Sequence, residues 1–106
     1  LLERVAGNLL ENAVRHNVDG GWIEARTTSG PQWTTLSVAS SGPHVDPDRV
    51  PELFEPFRRG AVDRVGAGTG LGLSIVRAVA RAHGGTVAAE PVPGGGLRVE
   101  VTFPSV

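Results

Sequence analysis

Leu1 to Asn17, LLERVAGNLLENAVRHN, decides how the rest of the chain is read. At about 100° per residue, Leu2, Val5, Ala6, Leu9, Leu10 and Ala13 fall on one apolar arc, the signature of a helix packed on a sheet. Asn8, Asn12, Arg15 and His16 line up beside that arc. Two amides, a cation and an imidazole along the border of a buried face are costly unless they are bonded to something. Two readings are open: a solvated flank, which polar residues at helical spacing commonly form, or a stripe that holds a metal and a phosphate chain.

Outward from this helix, Asn17 to Gly21 (NVDGG) is turn chemistry, with Gly20-Gly21 able to supply the positive φ that ends a helix. In Trp22 to Thr28 (WIEARTT), Ile23, Ala25 and Thr27 alternate with Glu24, Arg26 and Thr28, the period of a half-exposed strand. After the Ser29-Gly30-Pro31 turn, Trp33 to Ser40 (WTTLSVAS) reads as a second strand whose inward phase is Leu36, Val38 and Ser40. Ser41 to Pro51 is a loop with one short helical turn after Asp46.

LFEPFRRG, Leu53 to Gly60, is a rigid apolar knuckle, and Gly60 to Gly70, with four glycines in eleven residues, has the freedom of a lid. Leu71 to His83 is the second helix, with Gly72, Ile75, Val76, Val79 and His83 on one face, Arg77 and Arg81 pointing away, and Gly84-Gly85 as its stop. Thr86 to Glu90 and Leu97 to Phe103 close the sequence as strands around the hairpin loop Pro91 to Gly96; Leu97, Val99, Val101 and Phe103 point inward. The fold class is therefore an α/β two-layer sandwich: a mixed, mostly antiparallel sheet with helices packed on one face.

With 106 residues, 40% hydrophobic, residues 1–106 form one domain around one core. A net charge of -1 from ten basic and eleven acidic residues gives no electrostatic reason to expect nucleic acid or an anionic membrane surface as partner. No cysteine means no disulfide and no thiolate metal site, which suits the cytoplasm. No apolar run approaches the roughly 18 residues of a membrane span, and the start, with Glu3 and Arg4, lacks the layout of a signal peptide. All ten basic residues are arginine, which reads as compositional bias and carries no function.

GAGTGLGLS, Gly66 to Ser74, is a glycine-rich loop running into a helix, where backbone N–H groups approach anionic oxygens at the positive end of the helix dipole. Phosphate is its expected guest, although a flexible linker with a helix cap would need none. It is not a Walker loop, since no lysine follows in GK[ST] order, and it lacks the strand and acidic residue of a dinucleotide fingerprint.

The order NLLENAVRHN, SSGPHV, LFEPFRRG and GTGLGLSIV ending in HGG resembles the ATP-binding domain of two-component sensor histidine kinases, in the superfamily that includes DNA gyrase, Hsp90 and MutL. The resemblance covers nearly the whole chain, and four motifs in order are more specific than any one. It implies that Asn12 and Asn8 ligate or orient Mg²⁺ through side-chain oxygen, a hard donor for a hard cation. Arg15 stands where lysine is usual and His16 where an aromatic residue or histidine is usual. Arg59, in FEPFRR, occupies the place of a phosphate-contacting arginine, and the backbone of Gly68, Thr69, Gly70, Leu71 and Gly72 would close over the triphosphate. Glu11 stands where a base is discussed in the family; a solvated helix position accounts for it equally.

The resemblance fails at SSGPHV. Ser40 replaces the family's adenine-reading aspartate, Gly42 is kept, and His44 replaces a second glycine. Losing a buried charged acceptor weakens binding by about 1.5–3 kcal/mol, on the order of ten- to a hundred-fold; a water could bridge the shorter serine to the base. The family's strand before the first helix is also missing, as in a trimmed fragment or an edge left open or covered by a partner. The implied function is the Mg-ATP-binding part of a histidine kinase, an enzyme incomplete without a dimerising phosphoacceptor helical module and serving a response regulator indirectly. The alternative is a degenerate module with weak or no nucleotide binding, kept for docking.

Overall fold

The structure is a computed structural model and describes residues 2–55 and 72–104. The opening stretch is a helix, α1 (Leu2–Arg15), whose contact line is Val5, Leu9 and Ala13, all buried, with Ala6 half-buried beside them. Leu10, expected on the same arc, is 38% exposed. At 100° per residue it lies roughly 100° from the centre of that line, beyond the groove in which the helix sits. Asn8 and Asn12 lie on the opposite flank and are half-buried.

The helix ends at Arg15, with the His16 N–H donating to the Asn12 carbonyl at 3.1 Å. Gly20, at φ 76, is not the helix stop that its sequence position suggested; it serves a separate turn closed by Gly21 N–H to Val18 O at 3.0 Å.

Strands β1 (Ile23–Ser29), β2 (Trp33–Ser40), β3 (Thr86–Pro91) and β4 (Leu97–Pro104) form one sheet in the order β1-β2-β4-β3, with every pairing antiparallel, so the mixed character expected of it is not seen among the described residues. Leu36 and Val38 pair with Val101 and Val99 and face the helices together with Phe103. β1 departs from expectation. All seven of its residues are exposed, including Ile23, Ala25 and Thr27, which alternation placed inward. It is the sheet's edge: α1 lies over its one neighbour, β2, and the second helix, Gly72–Ala82, over β3 and β4.

The turn expected after Asp46 is a 3-10 helix, Pro47–Phe54, started by the Asp46 carboxylate accepting from Asp48 N–H at 2.9 Å and by Pro47, whose missing donor costs nothing at that position. Val50 and Phe54 anchor it in the core; Pro56 to Arg59 of FEPFRR and the whole of Gly60 to Gly70, read as a lid, lie outside the described residues.

Helix α2 (Gly72–Ala82) buries Leu73, Val76 and Ala80. The inward face is rotated from the one expected: Ile75 is 41% exposed, and His83 lies past the helix end, exposed, with Nδ1 2.9 Å from the Val79 carbonyl oxygen. Apolar residues on several sides of this helix make its period ambiguous, and contact with α1 and the sheet selects Leu73 over Ile75. Arg77, expected to point away, is half-buried with its guanidinium carbon 5.9 Å from the Phe54 ring centroid. Gly84, at φ 77, ends the helix as predicted: Gly85 N–H reaches Ala80 O at 2.7 Å and Gly84 N–H reaches Arg81 O at 3.2 Å, the paired bonds of a Schellman stop.

On the other face of the sheet, Thr28, Thr35, Thr102 and Thr86 form one row across all four strands, with the Thr35 and Thr102 hydroxyls 3.1 Å apart. Ser37 and Ala39 are buried on that face too; Arg98 donates to the Ser37 hydroxyl at 3.4 Å and pairs with Glu90 at 3.9 Å. Among the described residues no helix is long and apolar enough to cross a membrane.

Candidate functional site

One end of the sandwich gathers the last turn of α1, the start of β1, the end of β2 and the loop before β4. Asn17, just beyond α1, donates from Nδ2 to the Trp22 carbonyl at 3.0 Å and accepts at Oδ1 from the Ser41 hydroxyl at 2.7 Å. The Ser41 hydroxyl in turn accepts from Trp22 N–H at 2.7 Å, and Ser41 N–H donates to the Trp22 carbonyl at 3.0 Å. This clasp fixes the loop after β2 against the helix that carries the asparagines. Gly21 runs beneath it, where a Cβ would collide with Asn17 Oδ1 and Ser41 Oγ.

The loop itself is packed backbone to backbone. A Cβ on Gly42 would meet the His16 carbonyl oxygen at 2.9 Å, and one on Gly95 would meet the Gly42 carbonyl oxygen at 2.5 Å. Gly96 passes against the Ser40 carbonyl, and its N–H donates to Pro43 O at 3.1 Å. Gly94, Gly95 and Gly96 have φ of 90, 117 and 122, backbone that residues with a Cβ rarely adopt. The hairpin loop is thus the floor of the Ser40–Pro43 segment.

Ser40 ends β2 on its helix-facing side, paired with Ile23 and Leu97, and is only 8% exposed. Its hydroxyl bonds to no described residue, yet it is not among fully enclosed unsatisfied atoms, so it reaches open space. Neither the Asn8 nor the Asn12 side chain hydrogen-bonds to another described residue. Arg15 and Glu11 form an i,i+4 pair at 3.7 Å on the exposed side of α1, and His16 is half-buried. His44 is exposed on the loop.

The structure thus brings Asn12, His16, Ser40 and Gly42 to neighbouring elements, with Asn8 one turn back along α1 and Gly72 at the start of α2. Arg59, Gly68, Thr69, Gly70 and Leu71 lie outside the described residues. Sequence reasoning treats Asn17 and Ser41 as ordinary turn residues and Gly94 to Gly96 as an ordinary hairpin. The one signal in the sequence is the run of three glycines, more conformational freedom than a hairpin needs. A surface hollow of about 430 Å³ lies at the β1–β2 turn around Gly30 and Trp33, at the other end of β2 from Ser40, and no ionisable side chain lines it.

The family model of the histidine kinase-, DNA gyrase B- and HSP90-like ATPases matches residues 1–106. Sensor protein CutS of Streptomyces coelicolor is 53% identical over 107 residues, covering 98% of this chain and 26% of that protein. The signal transduction histidine-protein kinase BaeS of Escherichia coli is 35% identical over 105 residues, covering 97% of this chain and 22% of that protein. The chain thus spans about a quarter of the length of these relatives. Among solved structures, the mycobacterial sensor histidine kinase MprB superposes with a TM-score of 0.83 at 30% identity, over 95% of this chain and 70% of that one. ShkA, solved full-length in complex with AMPPNP, gives 0.79 at 30% identity, over 97% of this chain and 21% of that one. With these motifs, this antiparallel sheet under two helices and a family match along its full length, the chain belongs to the histidine kinase-, DNA gyrase B- and HSP90-like ATPase family.

Proposed function

We propose that residues 1–106 act as a single Mg-ATP-binding catalytic domain of a cytoplasmic sensor histidine kinase module. In this reading it presents the γ-phosphate to a phosphoacceptor histidine on a separate dimerising helical module, from which a response regulator is served. The observation that carries the reading is the joining of α1, with two half-buried amides, to a glycine-packed loop that bears the buried Ser40 hydroxyl, unpartnered among the described residues. In this reading the amides of α1 serve the metal and the polyphosphate, and the Ser40 hydroxyl serves the base.

The residues present fit Mg-ATP. Asn12 and Asn8, half-buried one turn apart on α1, are the residues proposed to supply the protein's share of a metal site through their amide oxygens. Such a hard cation takes most of its remaining ligands from water and phosphate, and when bound it neutralises triphosphate charge. Arg15 adds positive charge, and Glu11, exposed and 3.7 Å from its guanidinium, is the residue proposed for the base-like role. Arg59 and the backbone of Gly68 to Gly72 are proposed to hold the phosphates, as donors fixed before reaction. Gly42 lets the loop after Ser40 approach the His16 carbonyl closely, which holds that loop beside the end of α1.

A second reading, a docking module without nucleotide binding, is favoured by one feature, the neutral Ser40. Calorimetric titration with ATP and Mg²⁺ separates the two. Saturable binding is expected, lost with Asn12→Ala and weakened when EDTA replaces Mg²⁺. No heat at millimolar ATP would refute the catalytic reading and leave the docking one.

A further inference from the structure

We infer that Ser40 reads the six-position of a purine through a hydroxyl that can either accept or donate, so that the site takes adenine and guanine triphosphates alike. This rests on the nucleotide reading above and adds to it the class of base.

Two adjacent serines have opposite fates. The Ser41 hydroxyl is committed to the protein: it donates to Asn17 Oδ1 at 2.7 Å and accepts from Trp22 N–H at 2.7 Å. The Ser40 hydroxyl bonds to no described residue although the residue is more than nine-tenths buried. A buried hydroxyl without a protein partner forfeits hydrogen-bond energy unless a ligand or water completes it. Its backbone is held still for that purpose, since β2 pairing on both sides and the Gly96 floor against its carbonyl leave it little freedom.

The chemistry follows from the hydroxyl's inventory. A carboxylate only accepts, so it favours the six-amino group of adenine and repels the six-carbonyl of guanine. A hydroxyl has one donor and two acceptor positions, and its hydrogen rotates to suit the partner. Its register neighbours, Ile23 and Leu97, bring no polar group that would enforce one choice.

The test is calorimetric titration of the chain with Mg-ATP and with Mg-GTP, repeated for Ser40→Asn, Ser40→Asp and Ser40→Ala, with far-UV circular dichroism confirming that each variant is folded. The two dissociation constants of the native chain are expected to lie within about tenfold of each other. Ser40→Asn, which keeps both a donor and an acceptor, should preserve that tolerance. Ser40→Asp, of the same shape but accepting only, should favour ATP over GTP by about a hundred-fold or more, and Ser40→Ala should weaken both nucleotides. A native preference for ATP beyond about a hundred-fold, or equal effects of Asn and Asp on the ATP-to-GTP ratio, would overturn the inference while leaving nucleotide binding intact. Should Ser40→Asp fail to fold, the native ratio and the parallel losses in Ser40→Ala decide the matter. Failure of both nucleotides to bind the native chain would instead bring down the reading on which it rests.

Discussion

Two glycines show how differently the same residue type can be used. Gly42 faces the His16 carbonyl so closely that a methyl group would sit 2.9 Å from it, and backbone on either side leaves neither partner free to move. Gly42→Ala is therefore expected to push the loop off the helix, lowering Mg-ATP affinity by at least about tenfold, as read by titration. Gly7 lies on the exposed side of α1, where an added methyl group would find nothing within 4 Å, and its backbone is ordinary helix. Gly7→Ala should stabilise the fold by about 0.5–1 kcal/mol in chemical denaturation, because it removes unfolded-state freedom that the helix does not use. A destabilisation would mean that this flank of α1 is not open.

Among elements, α1 offers the sharpest contrast. Leu9 is 1% exposed and central to the core, whereas Leu10, its neighbour in sequence, faces outward. Leu9→Ala should cost about 2–5 kcal/mol of unfolding free energy, and Leu10→Ala less than about 1 kcal/mol; equal losses would contradict the packing described. That the stretch is a helix, and that Val5 and Leu9 face inward, is legible because a period near 3.6 is a local property. How wide an arc the neighbours cover is not local, so Leu10 and Ile75 lie outside the core in which periodicity alone puts them. β1 fails for a related reason: alternation marks two faces of a strand but says nothing about whether the strand lies under a helix or at the sheet's edge. The site divides in the same way. Asn8, Asn12, Ser40 and Gly42 can be singled out through contiguous motifs, while the bond between Asn17 and Ser41 joins residues 24 apart and leaves no mark in either segment.

At the scale of the molecule, cohesion comes from the apolar layer between helices and sheet. The pairs Arg15–Glu11, Arg26–Glu24 and Arg49–Glu52 all include an exposed partner, and such pairs contribute little. The sheet's two hairpin loops then differ as places to splice in foreign sequence. The turn at Gly30 and Pro31 is exposed and closes through Gly30 N–H to Trp33 O at 2.7 Å. The loop before β4 sits under Ser40 and Gly42 and is held by Gly96 N–H to Pro43 O. A fluorescent reporter inserted between Pro31 and Gln32 should leave folding and nucleotide affinity near those of the parent, since exposed turns absorb insertions. The same reporter between Gly94 and Gly95 should abolish binding, measurable in one titration of each fusion. Of the two hairpins, the loop before β4 looks as dispensable as the other and is the one that cannot accept a graft.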